Sequence, residues 1–288
     1  MAIQKVGVVG CGLMGSGIAQ ISGQAGFPTV VRETSKELLD KGLASVMKFL
    51  EAGVAKGKVA QFDLDKVKEN LRGTTKLEDL ADCDLVVEAI TENLGVKQEL
   101  FGQLDTLCPP ATIFASNTSS LSVTEMSTFV KRPDRVIGLH FFNPVPLMKL
   151  VEVVHTVRTD PAALADATAW CKAVGKTPVR CGDSTGFVVN RLLVPYMLDA
   201  VRVFEQGLAS RDDIDNAMKL GAGYPMGPLF LTDYVGLDTT YYITQVMFDE
   251  FKEPRFAAPP LLKRMVLAGM NGRKSGRGFY DWSTNPPS

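Results

Sequence analysis

The chain has 288 residues, 45% of them apolar and 22% charged, with 31 basic against 32 acidic side chains and a formal net charge of -1. That length favours one large domain or two unequal ones, and the composition excludes a disordered or fibrous chain. The even charge balance excludes an overall field that draws in nucleic acid or an anionic membrane, so any anionic ligand has to be held locally.

From the amino end, short Val/Ile-rich runs alternate with longer segments of helical period, the pattern of parallel βαβ units. Strands are expected at Val6 to Gly10, Thr29 to Arg32, Leu85 to Ala89, Thr112 to Ala115, Val136 to His140 and Leu150 to Val154. Their nearly continuous apolar character suits a sheet covered by helices on both faces. Residues 34–70 instead form a long, amphipathic, lysine-rich stretch around Gly53 and Gly57, which reads as a helical hairpin inserted into the sheet domain. A last short strand near Thr177 to Cys181 leads into Gly182-Asp183-Ser184-Thr185-Gly186, a polar segment suited to a domain boundary. Beyond it the alternation stops. Helices are expected at about Val188 to Gln206, Arg211 to Leu220, Leu237 to Phe251 and Pro260 to Leu267, the first kinked at Pro195.

At the first strand, Val6-Gly7-Val8-Val9-Gly10-Cys11-Gly12-Leu13-Met14-Gly15 sets Gly-x-Gly-x-x-Gly between a buried strand and a helical run. Gly10 permits the tight turn, Gly12 lets the backbone approach a pyrophosphate, and Gly15 lets the helix pack closely. The free N–H groups of the turn that includes Leu13 and Met14, together with the helix dipole, face the phosphates. Glu33 ends the second strand 23 residues after Gly10. There the fingerprint places an acid that accepts hydrogen bonds from the adenosine ribose and repels a 2′-phosphate, so NAD is expected over NADP. Taken alone, Glu33 reads slightly more readily as a solvated strand end. Arg32 is able to pair with a 2′-phosphate, but strand alternation is expected to point it away from Glu33. The expected architecture is α/β: a Rossmann-type doubly wound parallel sheet with the inserted hairpin over residues 1–185, then a small all-helical domain over residues 186–288.

The chain has two histidines, His140 and His155. His140 ends an apolar strand, and in open α/β sheets ligands bind outside the carboxyl ends of the strands. Glu152 lies within the apolar run Leu150-Val151-Glu152-Val153-Val154, where a carboxylate needs a partner. A turn between the two strands brings it to the imidazole, where it fixes the tautomer and stabilises the imidazolium. His140 alone reads as either a structural or a catalytic histidine; the pairing favours catalysis. His155 reads as an exposed strand end. The five cysteines, Cys11, Cys83, Cys108, Cys171 and Cys181, are odd in number and form no Cys-x-x-Cys, which argues against a disulfide framework and a metal site. With no leader ahead of the first strand and no apolar run of roughly 20 residues, a soluble cytoplasmic protein is expected.

Six strings occur together in one order: Gly10 to Gly15, Glu88-Ala89-Ile90-Thr91-Glu92-Asn93, Ser116-Asn117-Thr118-Ser119-Ser120, Gly138-Leu139-His140-Phe141-Phe142-Asn143-Pro144, Gly186-Phe187-Val188-Val189-Asn190-Arg191 and Lys274-Ser275-Gly276-Arg277-Gly278-Phe279-Tyr280. In order and spacing, over nearly the whole chain, they resemble the L-3-hydroxyacyl-CoA dehydrogenase family, of the 3-hydroxybutyryl-CoA type. The resemblance implies NAD-dependent interconversion of short- to medium-chain L-3-hydroxyacyl-CoA and 3-oxoacyl-CoA, with the substrate's C3 set against the nicotinamide. It implies His140 as general base, Glu152 as its partner, and Ser119 and Asn190 as polar groups at the reacting oxygen. It implies cofactor contacts at Glu92, Lys97, Ser119, Asn143 and Lys274, and CoA contacts at Ser45 and Lys56, although Ala52 stands where some relatives have lysine. It also implies a homodimer formed through the helical domain.

Each of these residues has a plainer reading. Ser119 suits the cap of a helix near Val123, Asn190 a helix cap, Glu92 a helix N-terminus, and Lys56 a solvated surface. Two other functions remain open: dehydrogenation of a free hydroxy acid or sugar acid, and a non-catalytic nucleotide-binding role.

Overall fold

The computed structural model describes residues 2–288 and divides into two compact units, one ending at Ser184 and one spanning Thr185–Ser288. The first unit is built on strands β1 (Val6–Val9), β2 (Thr29–Arg32), β3 (Leu71–Thr74), β4 (Leu85–Glu88), β5 (Ile113–Ser116), β6 (Val136–Phe141), β7 (Leu150–His155) and β8 (Thr177–Gly182). They form one sheet in the order β3-β2-β1-β4-β5-β6-β7-β8. Every pairing is parallel except β6 with β7, which is antiparallel. The connection between those two, residues 142–149, is too short for the crossover of a dozen or more residues that a parallel pair needs.

Strands β1, β4, β5 and β6 are buried at every position, which explains their nearly continuous apolar runs. Helices α1 (Leu13–Gln24), α4 (Leu94–Leu107), α5 (Val123–Ser127) and α6 (Pro161–Ala173) belong to this unit. The hairpin is α2 (Lys36–Ala55) and α3 (Gln61–Asn70), closed on its own small core of Val46, Leu50, Leu64 and Val67. Its turn depends on glycine twice: Gly57 has φ +67°, and a Cβ on Gly53 would come within 2.5 Å of Val59. Strand β3 was not expected, because Arg72 and Gly73 break the apolar pattern; as the end strand of the sheet it needs only one partner.

The second unit contains α7 (Val189–Glu205), α8 (Arg211–Gly221), α9 (Pro228–Val235), α10 (Leu237–Phe251) and α11 (Pro260–Leu267) around a core that includes Leu198, Val201, Leu229, Met247 and Phe256. Helix α9 adds to the four expected, and α7 continues through Pro195. Buried Asp233 accepts hydrogen bonds from the N–H groups of Phe279 and Tyr280 and from the Trp282 indole, which pins the last turn of the chain.

Candidate active site

The antiparallel register makes His140 and Glu152 direct cross-strand partners, so their side chains leave the same face of the sheet. Nδ1 of His140 lies 2.6 Å from Glu152 Oε2, with Glu152 wholly buried and His140 6% exposed. The Phe142 ring packs against the imidazole at a centroid distance of 4.5 Å.

The loop after β5 is tied to its surroundings at each step. Ser116 donates to Glu88 at 2.6 Å, Asn117 Oδ1 accepts from the Phe141 N–H at 2.9 Å, and Thr118 Oγ1 donates to Glu92. The Ser119 N–H reaches the same Glu92 carboxylate at 3.2 Å. Lys97, only 1% exposed, pairs with Glu88 at 2.6 Å and Glu92 at 3.2 Å. Its ammonium is therefore engaged by two carboxylates beneath the loop, and Lys97 reaches Ser119 through Glu92.

Ser119 and Asn190 are not N-caps, while Glu92 directly precedes the N-cap of α4. Ser122 caps α5 and Asn93 caps α4, through their side-chain oxygens, and Val188 stands at the cap of α7 ahead of Asn190. Asn190 sits half-buried on the first turn of α7 in the second unit. Asp183 accepts from the Ser122 hydroxyl and the N–H groups of Val123 and Thr124, adding a tie that no motif announced.

In the first βα turn, Gly10 takes φ +95°, and a Cβ on Gly15 would collide with the Gly10 carbonyl. Helix α1 begins at Leu13, its N-cap Gly12 supplies no side-chain cap, and Met14 follows in the open first turn. Such an N-terminus suits a pyrophosphate. Glu33 accepts the N–H of Cys11 at 2.8 Å and that of Thr34 at 2.7 Å. Burial works against the charge of Glu33, but these hydrogen bonds, the Thr34 hydroxyl and nearby Arg32 outweigh it and hold the carboxyl below the usual range. A cleft of about 540 Å³ is lined by Gly10, Gly12, Glu33, Thr91 and Val96, which suits an adenosine moiety.

Arg32 also lines this cleft, and its Nε is buried without a hydrogen-bond partner. Strand β2 ends at Arg32, so Glu33 lies just beyond the strand.

On the hairpin, Ser45 borders a 370 Å³ recess shared with Gly12, Leu13 and Glu33. Lys56 is the exposed C-cap of α2. Positions 45 and 56 are eleven residues apart, just over three helical turns, so they lie along nearly one face at a spacing of about 16 Å. Asn143 is exposed after β6. In the second unit, Lys274 pairs with Asp238 at 2.6 Å. Glu88 was passed over in the sequence, although a carboxylate closing the apolar run of β4 carries the signal that pointed to Glu152.

Among the described residues, no helix is long and apolar enough to cross a membrane. A family model for the NAD binding domain of 3-hydroxyacyl-CoA dehydrogenase matches residues 5–184, and one for the C-terminal domain matches residues 186–282. A 3-hydroxybutyryl-CoA dehydrogenase of Mycobacterium tuberculosis is 50% identical over 98% of this chain and 99% of its own. The mitochondrial hydroxyacyl-coenzyme A dehydrogenase of Sus scrofa is 47% identical over 97% of this chain and 91% of its own. The crystal structure of M. tuberculosis FadB2 aligns with a TM-score of 0.95 at 50% identity, covering 98% of this chain and 99% of that one. The chain belongs to the 3-hydroxyacyl-CoA dehydrogenase family, with NAD as its cofactor.

Proposed function

We propose that this protein oxidises L-3-hydroxyacyl-CoA to 3-oxoacyl-CoA and runs the reverse reaction, on short to medium acyl chains such as 3-hydroxybutyryl-CoA. The observation that carries the reading is the buried 2.6 Å contact between His140 and Glu152 at the ligand end of β6.

Bound NAD supplies the hydride acceptor. In oxidation His140 takes the substrate's hydroxyl proton on Nε2, since Nδ1 is committed to Glu152. In reduction it returns that proton to the developing alkoxide. Glu152 holds the ring's orientation and stabilises the imidazolium. Ser119 donates a hydrogen bond to the reacting oxygen from a loop fixed by Glu92 and Asn117. Asn190 is assigned to the same oxygen on the strength of the family match.

Glu33 accepts the adenosine ribose hydroxyls, while Glu92, Lys97, Asn143 and Lys274 complete the cofactor's surroundings. Ser45 and Lys56 hold the CoA arm. The second unit serves substrate binding and dimerisation, and it exposes Leu192, Leu220 and Leu267. Five free thiols suit the reducing cytoplasm. The test is an absorbance assay of NADH oxidation by acetoacetyl-CoA and longer 3-oxoacyl-CoA thioesters; absence of turnover with every thioester sinks the reading.

A further inference from the structure

Residues 142–149 join the strand of His140 to the strand of Glu152 and lie mostly in solvent. Val145 is the one buried side chain among them, while Leu147 is 65% and Met148 41% exposed. Val145 seats against α1, where a Cβ on Gly17 would come within 2.8 Å of it. A second hold comes from Lys176, 8% exposed in the turn between α6 and β8. Its ammonium donates to the carbonyls of Val145 and Met148, the latter at 2.9 Å. The Pro144 carbonyl accepts the N–H groups of Leu147 and Met148, so the segment closes into a turn with two other carbonyls on the lysine.

A buried ammonium is costly unless its donors are used, and burial pushes the pKa of Lys176 down. Here the ammonium donates to carbonyls of the β6–β7 loop, about thirty residues earlier in the chain, at separations of 31 and 28. The same loop, through Asn143 and Pro144, lines a cavity of about 100 Å³ together with Leu13, Ser45 and Phe49. The lysine therefore sits under a segment that borders both the dinucleotide turn and the hairpin.

We propose that Lys176 is a positioning residue: by holding the Val145 and Met148 carbonyls it sets where Asn143 and Pro144 stand against the cofactor and the thioester, touching neither itself. The identity of those two ligands rests on the proposed function. A misplacement of about 1 Å in a ligand-holding group costs up to about 10²-fold.

In Lys176→Met the KM for NADH and for acetoacetyl-CoA each rise at least about tenfold, while kcat stays within about threefold. Chymotrypsin cleavage after Leu147 or Met148 accelerates at least about tenfold as the loop loosens. Lys176→Arg, which keeps the charge and donors, restores most of both. A folded Lys176→Met with normal KM values and normal cleavage overturns the proposal. So does a fall in kcat and thermal midpoint with both KM values unchanged, the signature of a purely structural lysine. If Lys176→Met fails to fold, Lys176→Gln is read by the same criteria. Wild-type enzyme inactive on every CoA thioester would sink the proposed function instead, and the cleavage comparison would still decide whether Lys176 holds the loop.

Discussion

Across the β6–β7 hairpin, His140 and Glu152 are register partners whose side chains meet at 2.6 Å in the buried face of the sheet. Two rigid strands set this distance, so the imidazole is oriented before any ligand arrives. His140→Gln is expected to lower kcat by about 10²-fold to 10⁴-fold while leaving NADH binding intact. Glu152→Gln, which removes the charge and keeps the shape, lowers kcat and moves the pH–rate profile. The double variant is little worse than His140→Gln, because the two act as one unit. Near-normal kcat in His140→Gln defeats the assignment.

Cofactor choice rests on the balance between Glu33 and Arg32 in one cleft. Glu33→Gln keeps an acceptor for the Cys11 N–H but removes the charge that repels a 2′-phosphate. It is expected to narrow the NAD:NADP ratio of kcat/KM by about tenfold or more. Adding Arg32→Ala takes that gain away, which fluorescence titration with both reduced cofactors reads directly. An unchanged ratio in Glu33→Gln shows that the carboxylate does not discriminate. Because the Glu33 pKa is lowered in the fold, its stabilising contribution is complete above the ordinary glutamate value of about 4.3 and disappears as pH falls through the lowered value. The KM for NAD is therefore expected to be insensitive to Glu33 from neutrality to about pH 5.

The stripe from Ser45 to Lys56 predicts that the substrate is a thioester. Acetoacetyl-CoA is expected to be reduced far better than free acetoacetate. Lys56→Ala is expected to raise the KM for the thioester by about fivefold, the scale of one exposed ion pair, and to leave the KM for NADH unchanged. If free acetoacetate or gulonate were turned over equally well, the hairpin would have another purpose.

A homodimer is expected through the second unit, whose exposed leucines Leu192, Leu220 and Leu267 are 71%, 84% and 78% accessible in the single chain. Light scattering at micromolar concentration gives twice the chain mass if this is right. A monomer mass at that concentration contradicts it.

Burial pushes the thiols of Cys11, Cys108 and Cys181 up to about 11, and those of Cys83 and Cys171 to about 12. All five are then protonated at pH 8, and the native enzyme is expected to keep its activity through brief iodoacetamide treatment. Cys181, half-buried where the others are buried, is the first to react in a mass-spectrometric time course. Rapid loss of activity with label on Cys11 would contradict this.

The sequence was most legible where one residue type answers one physical need. Gly10 and Gly15 marked the first βα turn because a positive φ at one and a backbone collision at the other exclude a side chain, and Glu152 in an apolar run implied a partner, which His140 provides. The same reasoning at Glu88 would have revealed the buried cluster with Ser116 and Lys97. Strand β3 escaped because an edge strand needs no apolar run. Lys176 reads as an ordinary surface lysine, since its partners are backbone carbonyls, which no pattern of side chains encodes.

Helix α2 packs directly on the dinucleotide turn at Gly42, where a Cβ would collide with the carbonyl and Sγ of Cys11. The hairpin and the first βα turn are thus inherited as a pair. A hairpin transplanted from a relative brings a matched residue 42 or displaces the turn beneath it. In a library that randomises the hairpin, glycine is expected to persist at position 42 among active clones, because a side chain there would strike Cys11. A defect at that helix position is expected to register first as weakened nucleotide affinity, although it lies outside the dinucleotide turn itself.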